Sequence, residues 1–340
     1  WSAAGNSAPQ ITQGFARRRT ERVSLEAGLL WHQVTRENRR LGLRAEVTNF
    51  VPAVPDHVEL MRVRVTNISR KTLRVTPTAA IPIYGRSADN LRDHRHVTSL
   101  LHRIYTIPAG VVVQPTLSFD ERGHRPNTVA YCVVGAEGKG ALPVGFFPLV
   151  EDFIGEGGTL DWPEAVVRNL RARSRAGECF AGYEAIGALR FRSVTLKPGQ
   201  SRSYVIVLAI REDGIGAETL AETYCSDARF EALLEATRAH WQAQVSRLAF
   251  RTGERAFDLW MKWVAAQPIL RRIYGCSFLP HHDYGRGGRG WRDLWQDCLA
   301  PSGVGPSGGG GPLPNNDIVG CMDRSKRTNK CTKTGVYYVV

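Results

Sequence analysis

From about Glu21 to Leu208 the chain is a succession of short runs rich in Val, Leu, Ile and Thr, each closed by Gly, Pro, Asn or Asp. Runs of this period belong to strands, because a strand turns successive side chains to opposite faces and residues tolerant of tight turns end it. Leu41, Leu43, Ala45 and Val47 alternate with polar residues, as do Val63 and Val65, Leu73 and Val75, and Tyr204, Ile206 and Leu208. Turn signals separate them, including Asn67-Ile68-Ser69 and Lys197-Pro198-Gly199-Gln200. An alternating strand has one apolar face to bury, and two stacked sheets bury many such faces at once. The expectation is a β-sandwich of supersandwich size over residues 1–212.

Two connections, Gly85 to His96 and Ser118 to Asn127, are longer and richer in Arg, Asp, Asn and His than a turn requires. Such loops carry contacts to a neighbouring domain or a ligand, or are simply solvated surface.

The period changes at Ala217. Leu220, Tyr224, Phe230, Leu233, Leu234, Thr237 and Trp241 recur at helical spacing, with Ser226-Asp227 as an N-cap between two helices. This predicts a helical linker over 213–252. A further amphipathic helix begins near Glu254, with Phe257, Trp260, Met261 and Val264 on one face and Pro268 kinking or ending its regular part. Aromatic residues at that spacing are usually core, so Trp260 and Trp263 are assigned to packing rather than to sugar stacking. After Ala300 the character breaks into a Gly-, Pro- and Ser-dominated stretch and a polar, basic one without periodicity. Residues 301–340 are expected to form no packed structure, as a disordered or non-homologous tail.

Composition excludes several classes. A net charge of +13 suits a polyanion only where basic residues cluster, and Arg17 to Arg19, Arg39-Arg40, Arg168 to Arg175 and Arg271-Arg272 are scattered. No nucleic-acid module accompanies them, so nucleic acid is not an expected partner. Seven cysteines (132, 179, 225, 276, 298, 321 and 331) are odd in number and contain no CxxC pair. That argues against a disulfide framework or a zinc site, and for reduced thiols in a cytoplasm. No apolar run approaches the roughly 18 residues a membrane helix needs, so no membrane is expected. A start at Trp1, without Met and in mid-pattern, reads as a piece of a longer protein.

The stretch from His281 to Asp297, HHDYGRGGRGWRDLWQD, is a glycine-rich loop running into a helix. Glycine lets backbone approach a ligand closely, and Arg286, Arg289 and Arg292 offer planar donor forks for phosphate or paired hydroxyls. Asp293 and Asp297 fall on one helical face with Gln296 beside them, and carboxylates with a stacking Trp grip a pyranose. An Arg–Asp ion-pair network capping a helix explains the same residues. No GxxxxGK[ST] or HExxH motif is present, and the run before the loop is helical, not the strand of a dinucleotide fingerprint.

Gly290-Trp291-Arg292-Asp293-Leu294-Trp295-Gln296-Asp297 resembles the GxRDxxQD signature of the inverting phosphorylases of glycoside hydrolase family 94, formerly glycosyltransferase family 36. Upstream, the stretches from Ala79 to His96 and from Phe119 to Asn127 look like the amino-terminal sandwich of that family, especially its 1,2-β-oligoglucan branch. The resemblance covers about Trp1 to Ala300.

It implies a sandwich, a helical linker and an (α/α)6 barrel in that order, with 253–300 as the truncated start of the barrel. It also implies no metal or organic cofactor, with inorganic phosphate as co-substrate and a β-glucan oligosaccharide, β-1,2-linked by its branch, as the other. Arg292 and Asp293 would hold hydroxyls of the glycosyl unit, with Trp291, Gln296 and Asp297 alongside, and Arg286 or Arg289 would position sugar or phosphate. The family's general-acid Asp is expected downstream, so no catalytic residue is assigned and this chain alone is expected to be inactive and sticky. Family enzymes are often homodimers. Two other readings stand beside this one: a phosphorylase-like domain of a cyclic or linear β-glucan synthase, and a non-catalytic carbohydrate-binding or dimerisation sandwich.

Overall fold

The computed structural model describes residues 21–85, 99–120, 123–212, 214–247 and 249–274, without the side chains of 118–125 and 268–274. Among them the strands form one large and one small antiparallel sheet and two short ribbons. The large sheet has nine strands in the order β1 (Glu21–Gly28), β2 (Trp31–Asn38), β3 (Leu43–Phe50), β4 (Val58–Asn67), β16 (Ser201–Glu212), β11 (Val129–Glu137), β8 (Gly110–Pro115), β7 (His102–Ile107) and β13 (Cys179–Ala181). The small sheet runs β12 (Gly145–Leu149), β14 (Ala185–Arg190), β6 (Thr78–Ile83). The ribbons pair β9 (Leu117–Asp120) with β10 (Gly123–Pro126), and β5 (Leu73–Val75) with β15 (Val194–Leu196).

The fold is a β-supersandwich, and its core lies between the two sheets. Val111, Val113, Val133, Tyr204 and Ile206 of the large sheet meet Phe146, Ala185 and Leu189 of the small one. At Gly187 the sheets come so close that a Cβ would lie 2.3 Å from Cβ of Val133, a position only glycine can fill. Both sheets are also covered outside. Phe147, Ile186 and Ala188 pack under the short helices α1 (Val150–Ile154) and α2 (Glu164–Val167). Pro148 falls where the β12–β14 register shifts, so its missing N–H costs no regular ladder bond.

On the outer face of the large sheet, Val112, Cys132, Val134, Val205 and Val207 pack against helices α3 (Leu220–Tyr224) and α4 (Asp227–Val245) through Leu220, Tyr224, Phe230, Leu233 and Leu234. The centre of that sheet is thus buried on both faces, which is why Val111 to Val113 and Val133-Val134 are continuous apolar runs rather than alternating ones. Ser226 caps α4 as expected, its Oγ accepting the Arg229 N–H at 3.2 Å.

One compact unit extends through Thr237, and a second begins at Arg238. The second holds the end of α4 and helix α5 (Arg255–Tyr274). Of the two outcomes expected at Pro268, an end is not what α5 shows: the helix runs on to Tyr274, since one missing N–H is tolerable where the rest of the ladder closes. The packing expected of two tryptophans on α5 needs correction. Trp260 and Trp263 are not packed away: among the described residues they are exposed, at 56% and 46%, along with Phe257 and Leu259. Of the cysteines, 276, 298, 321 and 331 lie outside the described residues, whereas Cys132, Cys179 and Cys225 are free thiols.

Candidate functional site

Arg286, Arg289, Trp291, Arg292, Asp293, Gln296 and Asp297 lie outside the described residues, as does the expected tail 301–340. Of the two polar loops singled out from composition, 86–98 and 121–122 are likewise outside, and so are the side chains of 118–125. The roots of both loops are described.

Strand register brings those roots to one end of the large sheet. There His102 at the start of β7 faces Pro115 at the end of β8, and Val129 at the start of β11 faces Glu212 at the end of β16. Gly85, just after β6, lies against the same pair: a Cβ there would sit 2.8 Å from Pro115 Cγ and 3.1 Å from His102 Nε2. Asn127 ties the second loop down, its Nδ2 donating to the carbonyls of Pro115 at 2.8 Å and Val129 at 2.6 Å, while its backbone N–H donates to Thr116 at 3.1 Å.

His102 is buried, and its Nδ1 donates to the Tyr183 carbonyl at 3.1 Å, which places the ring proton on that nitrogen. Burial lowers its pKa against the opposing pull of the Tyr183 and Gly85 carbonyls and Glu184, so the ring is neutral at pH 7. Around this root Tyr84, Leu100 and Tyr183 are exposed.

Further along the same end, Pro55 to His57 and Ile210 to Glu212 enclose a cleft of about 290 Å³ with Ile215 on its wall. Asp56 is clamped here by the Tyr224 hydroxyl on Oδ2 and by Arg211 Nη1 on Oδ1 at 3.3 Å. The Tyr224 hydrogen bond, with Arg211, holds the carboxyl below its ordinary value despite partial desolvation. Burial, with Asp56 beside it, pushes the Tyr224 phenol up to about 12. Both carboxylate oxygens being engaged, Asp56 works as a clamp between β16, the β3–β4 turn and α3, not as a free base. Among the described residues no three His, Cys, Asp or Glu side chains converge as a metal set, and no helix is long and apolar enough to cross a membrane.

Spacing gives no hint of the Asp56–Arg211–Tyr224 cluster, whose members are 155 and 168 residues from Asp56. The only local signal is the proline-flanked turn that exposes Asp56.

Residues 18–227 match the family model described as glycosyl hydrolase 94, supersandwich domain. No curated protein matches. Similar solved structures include a bacterial glucoamylase in complex with acarbose, at 12% identity and TM-score 0.43, covering 68% of this chain and 29% of that one. A putative kojibiose phosphorylase from the human microbiome has 10% identity and TM-score 0.27 over 67% of this chain and 26% of its own. A putative aldose 1-epimerase from Escherichia coli K12 has 10% identity and TM-score 0.28 over 56% of this chain and 68% of its own. The chain therefore spans less than a third of the glucoamylase's length.

Proposed function

Because the chain belongs to glycoside hydrolase family 94, whose supersandwich domain it carries over 18–227, we propose that it is part of an inverting glycoside phosphorylase. The observation that carries this reading is order: the family's sandwich is followed by helices α3 to α5, and then by Gly290 to Asp297, which resembles the family's GxRDxxQD signature.

The reaction is transfer of a glucosyl unit from a β-1,2-glucan to inorganic phosphate. A phosphate oxygen attacks the anomeric carbon from the face opposite the glycosidic bond. That bond breaks, an Asp proton goes to the departing oxygen, and α-glucose 1-phosphate forms with inverted configuration. Phosphate is a co-substrate, and no metal or organic cofactor takes part. Arg292 and Asp293 hold hydroxyls of the glycosyl unit, with Trp291, Gln296 and Asp297 beside them, and Arg286 or Arg289 positions sugar or phosphate. The loop-bearing end of the sandwich, with Tyr84 and Tyr183, adds aromatic faces to the oligosaccharide path. The reaction is cytoplasmic. By the same resemblance the general acid and most phosphate ligands follow Asp297, so this chain alone is inactive; loss of a positioned acid forfeits about 10²–10⁴ in rate.

Phosphate release from α-glucose 1-phosphate with sophorose as acceptor tests the reading, run on this chain and on the chain extended by its downstream coding sequence. Release by the extended protein alone is expected. Release by the 340-residue chain overturns the assignment of the acid to a later segment. Release by neither, with sophorose binding retained, favours a non-catalytic carbohydrate-binding sandwich.

A further inference from the structure

At the end of the large sheet opposite His102 and Pro115, three turns meet: 38–43 between β2 and β3, 67–73 between β4 and β5, and 196–201 between β15 and β16. Register sets Asn38 opposite Leu43, Leu43 opposite Asn67 and Thr66 opposite Ser201, so the turns stand side by side on one rim. Asn67, buried between them, ties them together. Its Nδ2 donates to the carbonyls of Lys71 at 2.7 Å and Leu196 at 2.8 Å, its backbone N–H donates to Gln200 at 3.0 Å, and its carbonyl accepts the Gly199 N–H at 2.9 Å. The Ile68 N–H reaches the Gly42 carbonyl at 2.8 Å. At Gly42, with φ of 70°, a Cβ would lie 2.4 Å from Cβ of Ser69, so only glycine lets the first two turns touch.

The segments that build this rim, 36–44, 67–75 and 192–202, hold ten Arg and Lys residues and a single acidic one, Glu37, which pairs with Arg39 at 3.1 Å. Arg40, Arg70, Lys71, Arg74 and Lys197 are exposed, and among the described residues no carboxylate pairs with any of them. The chain enters β1 at the same rim, where Glu21 faces Asn38, and residues 1–20 contain Arg17, Arg18 and Arg19 but no Asp or Glu. Positive charge that is scattered in sequence is thus gathered by the fold. The three segments contain no aromatic residue, and Ile68 and Pro198 are exposed beside the charges.

We propose that this rim docks on an anionic lipid surface and holds the protein at the headgroups of a bilayer. Turn tips that share one rim meet a plane together, and a leaflet rich in anionic lipid presents the array of negative charge that a cluster of Lys and Arg neutralises. Ile68 and Pro198 settle at the headgroup boundary beside the charges, as apolar residues of peripheral surfaces do. Such a contact needs no spanning helix. It is electrostatic in the main, so it weakens steeply with salt. Nucleic acid is the poorer fit, because a single strand is gripped by aromatic rings as well as by charge and the rim has no ring. The inference does not depend on the proposed activity.

Cosedimentation of the 340-residue chain with lipid vesicles tests it. Binding is expected to vesicles of phosphatidylcholine with about one-third phosphatidylserine, and to be at least about tenfold weaker to phosphatidylcholine alone. Salt at about 0.5 M should remove the difference. Arg70→Glu with Lys71→Glu is expected to weaken binding to the anionic vesicles at least about tenfold. Arg103→Glu with Arg171→Glu, an equal change of charge on exposed residues outside the rim, should weaken it less than about threefold. Amide exchange over 39–42, 68–72 and 197–200 should slow with anionic vesicles and not with neutral ones. Equal binding to the two kinds of vesicle, a loss no greater for the rim pair than for the control pair, or binding to polyuridylate with none to vesicles would overturn the proposal.

Discussion

Arg62 on β4 lies 4.5 Å from the ring centroid of Phe230 on α4, and its Nη1 reaches Glu231 Oε1 at 2.6 Å. Phe230 in turn meets Phe50 of β3 edge to face at 5.0 Å and is fully buried. One aromatic residue thus joins the sheet to the helical linker. Phe230→Ala is expected to destabilise the sandwich by about 3–5 kcal/mol, from lost transfer energy and the cavity left behind. Glu231→Gln should cost under about 1 kcal/mol, because Glu231 is mostly solvated and its ion pair is screened. Urea denaturation followed by far-ultraviolet circular dichroism separates the two. Equal effects would mean that the ion pair, not the ring, fastens α4.

Arg190, at the end of β14, is buried and stacks 5.6 Å from the Phe147 centroid. Among the described residues no carboxylate faces it. Instead it donates to the carbonyls of Ala165 and Leu170 at 2.8 and 2.9 Å and to Asn169 Oδ1 at 3.0 Å, closing the C-terminal end of α2. Asn169 takes the left-handed backbone that lets those groups converge, with φ of 48°. Arg190→Met keeps the apolar stem and orphans the acceptors. It is expected to cost about 2–4 kcal/mol, and proteolysis should reach 164–172 first. Unchanged stability would show that water satisfies those carbonyls.

How much of this was legible depends on where the information lies. Leu43 and Ala45 are buried between half-buried neighbours before burial crosses to Thr48 and Phe50, and Leu73 and Val75 pack with Val65 and Leu196, so period-two reading finds these strands. The helical spacing from Leu220 to Trp241 is equally local. Of the two connections of unusual composition, the first lies outside the described residues beyond Gly85 and the second is not a loop but the β9–β10 ribbon; register brings their roots together at His102, Pro115 and Asn127. The Asp56–Arg211–Tyr224 clamp and the Arg190 cap were not legible, because each joins residues that only the tertiary fold makes neighbours. Helices α1 and α2, of five and four residues, are too short for a period to declare itself. The exposed aromatic residues of α5 illustrate the opposite limit: spacing identifies a face but not what covers it.

The clamp on Asp56 makes an acid-side prediction. Its folded pKa lies below the ordinary 3.8, chiefly through the Tyr224 hydroxyl. A depressed carboxyl contributes stability that is present above the unfolded value and is lost as pH falls through the folded one. Tyr224→Phe removes the main cause of the shift. The gap in Tm between parent and variant should therefore be widest near neutrality and narrow as pH drops below about 4. A gap that stays constant from pH 7 down to pH 3 would show that Tyr224 acts through packing alone.

On the alkaline side three buried groups act together. Burial pushes the thiols of Cys132 and Cys225 from 9.0 up to about 12, and the Tyr224 phenol from 10.0 to about 12. A raised pKa contributes stability that is full below the unfolded value and is lost as pH rises towards the folded one, because the unfolded chain ionises first. Stability should therefore decline from about pH 9 and fall further through pH 10 as the phenol joins. Thiolate is the reactive form, so the same burial predicts selective labelling. At pH 8, iodoacetamide followed by peptide mapping should modify Cys179, which is exposed, and spare Cys132 and Cys225. Urea should bring the two buried thiols to the same rate as Cys179. Rapid labelling of Cys132 in the native protein would mean that the face of β11 under α3 opens far more often than its packing predicts.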